Sequence, residues 1–350
     1  MKVVFTLCSN NYLAQAKTLG DSVVEHNPGY QFVIGLVDRK RDDIDYDFLR
    51  PHRIIEVGEV GIPNFSELCK RYGIIELNTA VKPFVFQYLF ENYDDLQGAI
   101  YLDPDIMVFN SLDAIYGELE EHSLVLTPHA LTPVPLDGQR PQENVFLAYG
   151  IYNLGFIAVA NVPEGRRFLA WWSERTFHFG DISAEKGLFV DQLWLNLATV
   201  FFEKVKVSYD PGRNVAYWNL HERNISRENG VLTVNEKFPL VFYHFSSYNF
   251  ANTSRMSPHQ DRFSFETRPD VAELFEIYRK NVAANKHDYF SGIECHYVIE
   301  RKQYLETTQR NRELAKKHAG ILKQVKQLTP NFIKNLSVSL IRKVDSLRTQ

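Results

Sequence analysis

The segment Tyr101-Leu102-Asp103-Pro104-Asp105-Ile106-Met107-Val108-Phe109 sets two carboxylates one residue apart between two apolar runs. At the end of a buried strand, that spacing lets both side chains converge on one hard cation. Mn²⁺ or Mg²⁺ takes such oxygen ligands and keeps positions open for phosphate oxygens. As turn residues the pair would only cap the next helix, but the apolar flanks place it in a partly desolvated cleft. Tyr243-His244-Phe245-Ser246-Ser247-Tyr248 delivers a histidine at another strand end. A nitrogen ligand beside two carboxylates suits Mn²⁺ better than Mg²⁺. In Tyr152-Asn153-Leu154-Gly155-Phe156, Gly155 permits close backbone approach and Asn153 offers both donor and acceptor. Asp191 and Gln192 sit inside the apolar run Val190–Asn196, where polar groups must find partners in the fold or on a hydroxylated ligand.

The elements that must hold these residues read as alternating strands and helices. Val3–Leu7 is a short apolar strand closed by Ser9-Asn10-Asn11, and Tyr12–Glu25 has helical spacing stopped by Asn27-Pro28-Gly29. Phe32–Val37 and Ile54–Val57 are further strands, helices follow at Phe65–Tyr72 and Thr79–Glu91, and Ala99–Leu102 runs into Asp103. This order predicts right-handed parallel crossovers and a doubly wound α/β sheet. Ligands of such sheets bind beyond the C-terminal strand ends, where Ser9, Asn10, Asn11, Asp38, Asp103 and Asp105 all fall. Strands at 123–127 and 156–160 flank a Pro-rich loop, Thr132–Gly138, and a helix is expected over Gly165–Phe177. Asn229-Gly230 marks a hairpin turn. Leu240–Tyr243 is a last strand. From about 270 the pattern is helical, and Pro330 sets a final segment apart.

Composition narrows the class. With 45 % hydrophobic and 23 % charged residues among 350, the chain is globular. Aromatics reach 13 %, which suits sugar or flat-ligand binding as well as a core. A net charge of −4 gives no global argument for nucleic acid. The charge is unevenly spread: residues 301–350 hold 12 Lys+Arg against 3 Asp+Glu, and the first 300 hold 27 against 40. Cys8, Cys69 and Cys295 share no disulfide or zinc spacing, which favours a reducing compartment. The apolar run Val3–Cys8 is too short for a signal peptide, so a cytoplasmic location is expected.

Together these motifs, in their order from Thr6 to about Tyr248, resemble the GT-A glycosyltransferases. The likeness is to the retaining, family 8-like group of glycogenin and the bacterial lipopolysaccharide galactosyl- and glucosyltransferases. The resemblance implies a GT-A (Rossmann-like) domain over 1–265, with a mixed, mostly parallel sheet, and a basic helical extension over 266–350. It implies that Asp103, Asp105 and His244 hold Mn²⁺ (or Mg²⁺) against the diphosphate of a nucleotide-sugar donor. The backbone around Thr6, with Asn11 and Tyr12, would receive base and ribose, Tyr12 by stacking. Lys82 would meet the diphosphate or orient Asp103. Asn153, Gly155, Asp191 and Gln192 would bind the transferred sugar, with Asp191 nearest the anomeric carbon. Asn219 and His221, in the polar cluster Trp218–Asn224, are expected to line the donor or acceptor pocket. The chain departs from the family at Leu154, often Ser or Ala, and at Ser246-Ser247, where Gly and Lys are often found; Lys82, Arg213 or Arg255 could replace that lysine.

The implied reaction moves a sugar from a UDP-linked donor to a glycan, lipid-linked or protein acceptor with retention, in bacterial surface polysaccharide or lipopolysaccharide assembly. A phosphatase of the haloacid dehalogenase type also carries a strand-end pair of aspartates, but Met107 stands where it needs Thr or Val. A non-catalytic nucleotide- or sugar-binding module is the other alternative. After Pro330, apolar residues from Phe332 to Leu347 recur at helical spacing among Lys334, Arg342, Lys343 and Arg348. That pattern fits a helix lying on anionic lipid at the inner face of the membrane, or one packed on the body or on a second subunit.

Overall fold

The computed structural model describes residues 1–347, with side chains through residue 324 except at 322. Its first strands are β1 (Val3–Cys8), β2 (Gln31–Leu36), β3 (Arg53–Glu56), β4 (Gly98–Leu102), β5 (Ile106–Val108), β6 (Leu124–Pro128) and β7 (Tyr152–Ala160). A hairpin of two two-residue strands, β8 (Ile182–Ser183) and β9 (Leu188–Phe189), precedes β10 (Val205–Val207). Then come β11 (Ile225–Glu228), β12 (Val231–Val234), β13 (Phe238–Pro239) and β14 (Phe242–His244). The helices begin with α1 (Leu13–His26), α2 (Phe65–Arg71), α3 (Ile74–Ala80) and α4 (Lys82–Asn92). They continue with α5 (Asp113–Glu121), α6 (Glu143–Tyr149), α7 (Pro163–Phe179) and α8 (Ala198–Phe201). Last are α9 (Pro269–Ala284), α10 (His287–Phe290) and α11 (His296–Leu347).

Among the described residues, the main sheet has the order β10-β6-β7-β4-β1-β2-β3. Every neighbouring pair is parallel except those of β7, which runs antiparallel to both β6 and β4. This is the mixed, mostly parallel α/β sheet expected. β1 is apolar at nearly every position because both of its faces are covered. Val4 and Cys8 join a core layer with Leu13 and Leu19 of α1 and Leu274 of α9. Val3, Phe5 and Leu7 join the opposite layer with Phe86 of α4 and Trp172 of α7.

Several boundaries differ from the sequence expectation. The helix expected over Thr79–Glu91 is broken at Val81, because Pro83 takes a first-turn position of α4, where its missing N–H is no loss. β7 starts at Tyr152 rather than 156, so Asn153, Leu154 and Gly155 are strand residues. Asn229 and Gly230 both have left-handed φ, 49° and 85°, and close the β11–β12 hairpin as expected. The chain divides into Met1–Val298 and a unit from Ile299. Leu274, Phe275 and Tyr278 of α9 belong to the core of the first unit. The backbone of α11 continues past Pro330. The amphipathic pattern read after Pro330 lies outside the residues whose side chains are described. No helix among the described residues is long and apolar enough to cross a membrane.

Candidate functional site

β4 ends at Leu102, and the chain turns through Asp103-Pro104-Asp105 into β5. β5 pairs antiparallel with β14, Ile106 opposite His244, and the Phe245 N–H donates to the Asp105 carbonyl at 2.8 Å. This ribbon carries His244 back to the aspartates: its Nε2 lies 3.0 Å from Asp105 Oδ1 and 3.8 Å from Asp103 Oδ2. One ligand atom from each of Asp103, Asp105 and His244 falls within 4.8 Å of the others. Because β7 is antiparallel, its beginning meets the end of β4, and the Asp103 N–H donates to the Gly155 carbonyl at 2.8 Å. A Cβ on Gly155 would stand 2.3 Å from Cε1 and 2.6 Å from Nδ1 of His244. The close approach expected at Gly155 is thus made by the His244 ring.

Two carboxylates and one imidazole around a point form a donor set that fits Mn²⁺. Burial pushes the Asp103 carboxyl above its ordinary range, with the Lys82 and His244 charges pulling the other way. Burial acts similarly on Asp105, but the His244 charge, its hydrogen bond and the Ser247 N–H together outweigh it, and the carboxyl falls below its ordinary range. His244 is raised in turn: burial opposes its charge, and the two carboxylates prevail.

The ion pair of Lys82 is made with Asp191. Its ammonium is 2.7 Å from Asp191 Oδ2 and donates to the Leu154 carbonyl at 2.9 Å, both side chains being almost fully buried. The ammonium also stands 4.2 Å over the Tyr101 ring, whose hydroxyl donates to Asp103 Oδ1 at 2.6 Å. The Lys82 charge also acts on Asp103, lowering its carboxyl against the effect of burial. Asp191 is held from below by Trp172, whose Nε1 donates to the Asp191 carbonyl at 3.2 Å. The preceding Val190 has φ 42°, a left-handed backbone that a β-branched residue adopts only under strain.

Beside the His244 ring, against which Trp218 packs edge-on, a cavity of about 560 Å³ opens, and Asn153, Gln192, Ser246 and Ser247 line it. Asp191 does not. Gln192 is clasped between strands and loop: its Oε1 accepts from the Leu154 N–H at 3.0 Å and its Nε2 donates to the Tyr149 carbonyl at 2.8 Å. Asn153 Oδ1 accepts from the Gly155 N–H at 3.1 Å and from Asn214 Nδ2 at 3.0 Å. Asn219 corrects the expectation of a pocket residue. It is fully buried, accepting from the Ala216 N–H and donating to the His129 and Asn214 carbonyls. His221 also faces away, toward the Thr132 carbonyl at 3.3 Å. Their neighbours Tyr217 and Trp218 line the cavity instead.

The sequence reading missed His129. Its ring stacks on Phe146 with centroids 5.0 Å apart, and Asn153 Nδ2 lies 3.3 Å from its Nε2. Burial pulls the imidazole down to about 4. A histidine following a Pro-ended strand carried no motif of its own.

On the far side of Asp105, Tyr12, Gln15, Ser247, Tyr248 and Tyr278 enclose a small cavity of about 20 Å³. Tyr12 is 43 % exposed and offers its ring to solvent. Burial and then the Asp105 charge raise its hydroxyl pKa. Asn11 is half-buried and accepts from Ser9 Oγ at 2.6 Å. Thr6 is wholly buried within β1. Of the three cations expected in place of a lysine after His244, Lys82 is paired with Asp191 and Arg213 with Glu118 at 2.7 Å, while Arg255 is exposed.

No protein-family profile matches the chain. It is 25 % identical over 202 residues to the uncharacterized protein YfnF of Bacillus subtilis (strain 168), covering 58 % of this chain and 65 % of that one. To the uncharacterized protein YfnD of the same organism it is 23 % identical over 250 residues, 69 % and 76 % of the two chains. Among solved structures it is similar to the galactosyltransferase LgtC in complex with donor and acceptor sugar analogs. That match has a TM-score of 0.48 at 16 % identity, covering 81 % of this chain and 96 % of LgtC. The apo form of the glycosyltransferase GlyE of Streptococcus pneumoniae TIGR4 gives 0.46 at 16 % identity, covering 83 % and 63 %.

Proposed function

We propose that this chain is a GT-A glycosyltransferase of the retaining, family 8-like kind. It takes a UDP-linked sugar and Mn²⁺, and transfers the sugar to a glycan, lipid-linked or protein acceptor in bacterial surface polysaccharide or lipopolysaccharide assembly. The observation that carries the reading is the convergence of Asp103, Asp105 and His244 at the C-terminal ends of the sheet strands, between an exposed tyrosine and a large cavity.

In this reading the metal would be held by Asp103, Asp105 and His244 and would neutralise the negative charge that develops on the leaving diphosphate. Tyr12 stacks on the nucleotide base, with Asn11 and the backbone near Thr6 beside it. Tyr101 fixes the Asp103 carboxylate by its hydroxyl, and Lys82 polarises that ring from above. Asn153 and Gln192 face the cavity, where they orient sugar hydroxyls. Asp191 positions Lys82, since its carboxylate is spent on the ammonium and is absent from the cavity wall. That favours acceptor attack on the leaving-group face over a covalent carboxyl intermediate. The basic tail from 331 docks on anionic lipid, bringing the domain to a membrane-held acceptor.

The test is thermal stability of the purified chain against UDP, GDP, CDP and dTDP, with and without Mn²⁺. The expected result is a shift with UDP that grows with metal, by mass action, and disappears in Asp105→Asn. No shift with any nucleotide would return the weight to a phosphatase or a non-catalytic module.

A further inference from the structure

The body of this chain is acidic, with 40 Asp+Glu against 27 Lys+Arg in its first 300 residues. The 560 Å³ cavity is an exception: among the described residues no carboxylate lines it, and Arg140 is its one permanently charged lining residue. Its walls are otherwise aromatic and apolar, with Phe146, Tyr149, Phe189 and Trp218 among them. Flat ring faces of this kind match the C–H faces of a pyranose, and a guanidinium at the rim with an open edge matches an anion.

Arg140 is held ready for such a contact. Its Nε is 2.9 Å from Asp261 Oδ2, and its backbone N–H also donates to Asp261. Among the described residues no hydrogen bond engages its Nη1 or Nη2. The loop that carries it is tied by a second, crossed pair: Arg262 donates to both oxygens of Asp137 at 2.9 Å and to the Gln139 carbonyl at 3.0 Å. His259, on the same strap as Asp261 and Arg262, lines the cavity as well. The exposed Arg140 guanidinium is therefore paired through Nε with Asp261 and open along its Nη edge, which is the half of the fork that binds carboxylate or phosphate oxygens.

We propose that the cavity takes an anionic sugar residue as acceptor, its ring against the aromatic wall and its carboxylate or phosphate on the free edge of Arg140. The inference rests on the transferase reading and names the acceptor class for it. The shared chemistry is a pyranose bearing an oxyanion, and a uronic acid and a sugar phosphate are its two sources.

Calorimetric titration of the full chain with Mn²⁺ and UDP present tests it, using glucose, glucuronate and glucose 6-phosphate as probes. At least one anionic probe should bind about tenfold more tightly than glucose. Raising the ionic strength should erode that preference and leave glucose binding unchanged. Arg140→Gln should bring the anionic probe to the level of glucose, with UDP binding as in the parent. Preference for glucuronate alone or glucose 6-phosphate alone identifies the source. No sugar binding, equal binding of all three, or a preference that survives in Arg140→Gln would overturn the proposal while UDP still binds. Loss of UDP binding in the parent protein would overturn the transferase reading instead.

Discussion

Gly155 and His244 occupy one space: the ring of the histidine fills the position that a side chain on residue 155 would take, 2.3 Å from its Cε1. The glycine carries a backbone carbonyl to Asp103 on one side and clears room for the third corner of the Asp-Asp-His cluster on the other. Gly155→Ala should leave the sheet folded at a cost of about 1–3 kcal/mol. The displaced imidazole should weaken Mn²⁺ binding by about 10–100-fold. Electron paramagnetic resonance of free against bound Mn²⁺ measures this, and unchanged affinity would show that His244 does not hold the ion.

Lys82 and Asp191 form a buried pair whose separate halves are expensive. Lys82→Met strands a carboxylate and Asp191→Leu strands an ammonium, so each should lower stability by about 3–5 kcal/mol. In the double variant neither charge remains, and the loss should be well below the sum of the two. Urea denaturation of the four proteins completes the cycle. Additive losses would mean that the pair is not coupled in solution.

His129 predicts a pH slope. Its imidazole is lowered from 6.5 to about 4 by burial, with a smaller contribution from the His244 charge, so the unfolded chain takes up this proton first as pH falls. Stability is full above the unfolded value and is lost from about pH 6.5 down to about pH 4, by about 3 kcal/mol in all. His129→Gln should flatten the curve by one proton over that window. Denaturant midpoints at several pH values give the slope directly, and an identical slope in the variant would remove the assignment.

The tail yields a prediction from sequence alone. Removing residues 331–350 should release the chain from vesicles containing anionic lipid without changing UDP binding. Equal sedimentation of the long and short chains with those vesicles would leave the membrane reading without support.

The parts of the site legible in sequence were those whose chemistry is local. Asp103 and Asp105 stand one residue apart between apolar runs, and His244 ends an apolar strand, so spacing alone brings them forward. What hydropathy could not reveal was which polar groups turn inward. Asn219 looks like a ligand residue in sequence, yet its amide closes a turn and bonds two carbonyls of the protein. Lys82 is expected at the diphosphate or beside Asp103, and hydropathy gives no sign of Asp191, from a distant segment, opposite its ammonium. The β7 boundary was misjudged for a related reason: Asn153 and Gly155 are poor strand formers, and only pairing with β6 and β4 extends the strand through them. The fold class survived such local errors because the succession of apolar strands and helices repeats along the chain.

The crossed pairs Arg140–Asp261 and Asp137–Arg262 join two segments more than a hundred residues apart into one rim. For anyone reshaping this protein, that rim is a single cassette. A loop grafted at 137–141 without its counterpart at 259–262 would leave two charges on each side facing strangers, and the mouth would lose its outline before it gained a new preference. Exchanged together, the two segments carry their own fastening with them.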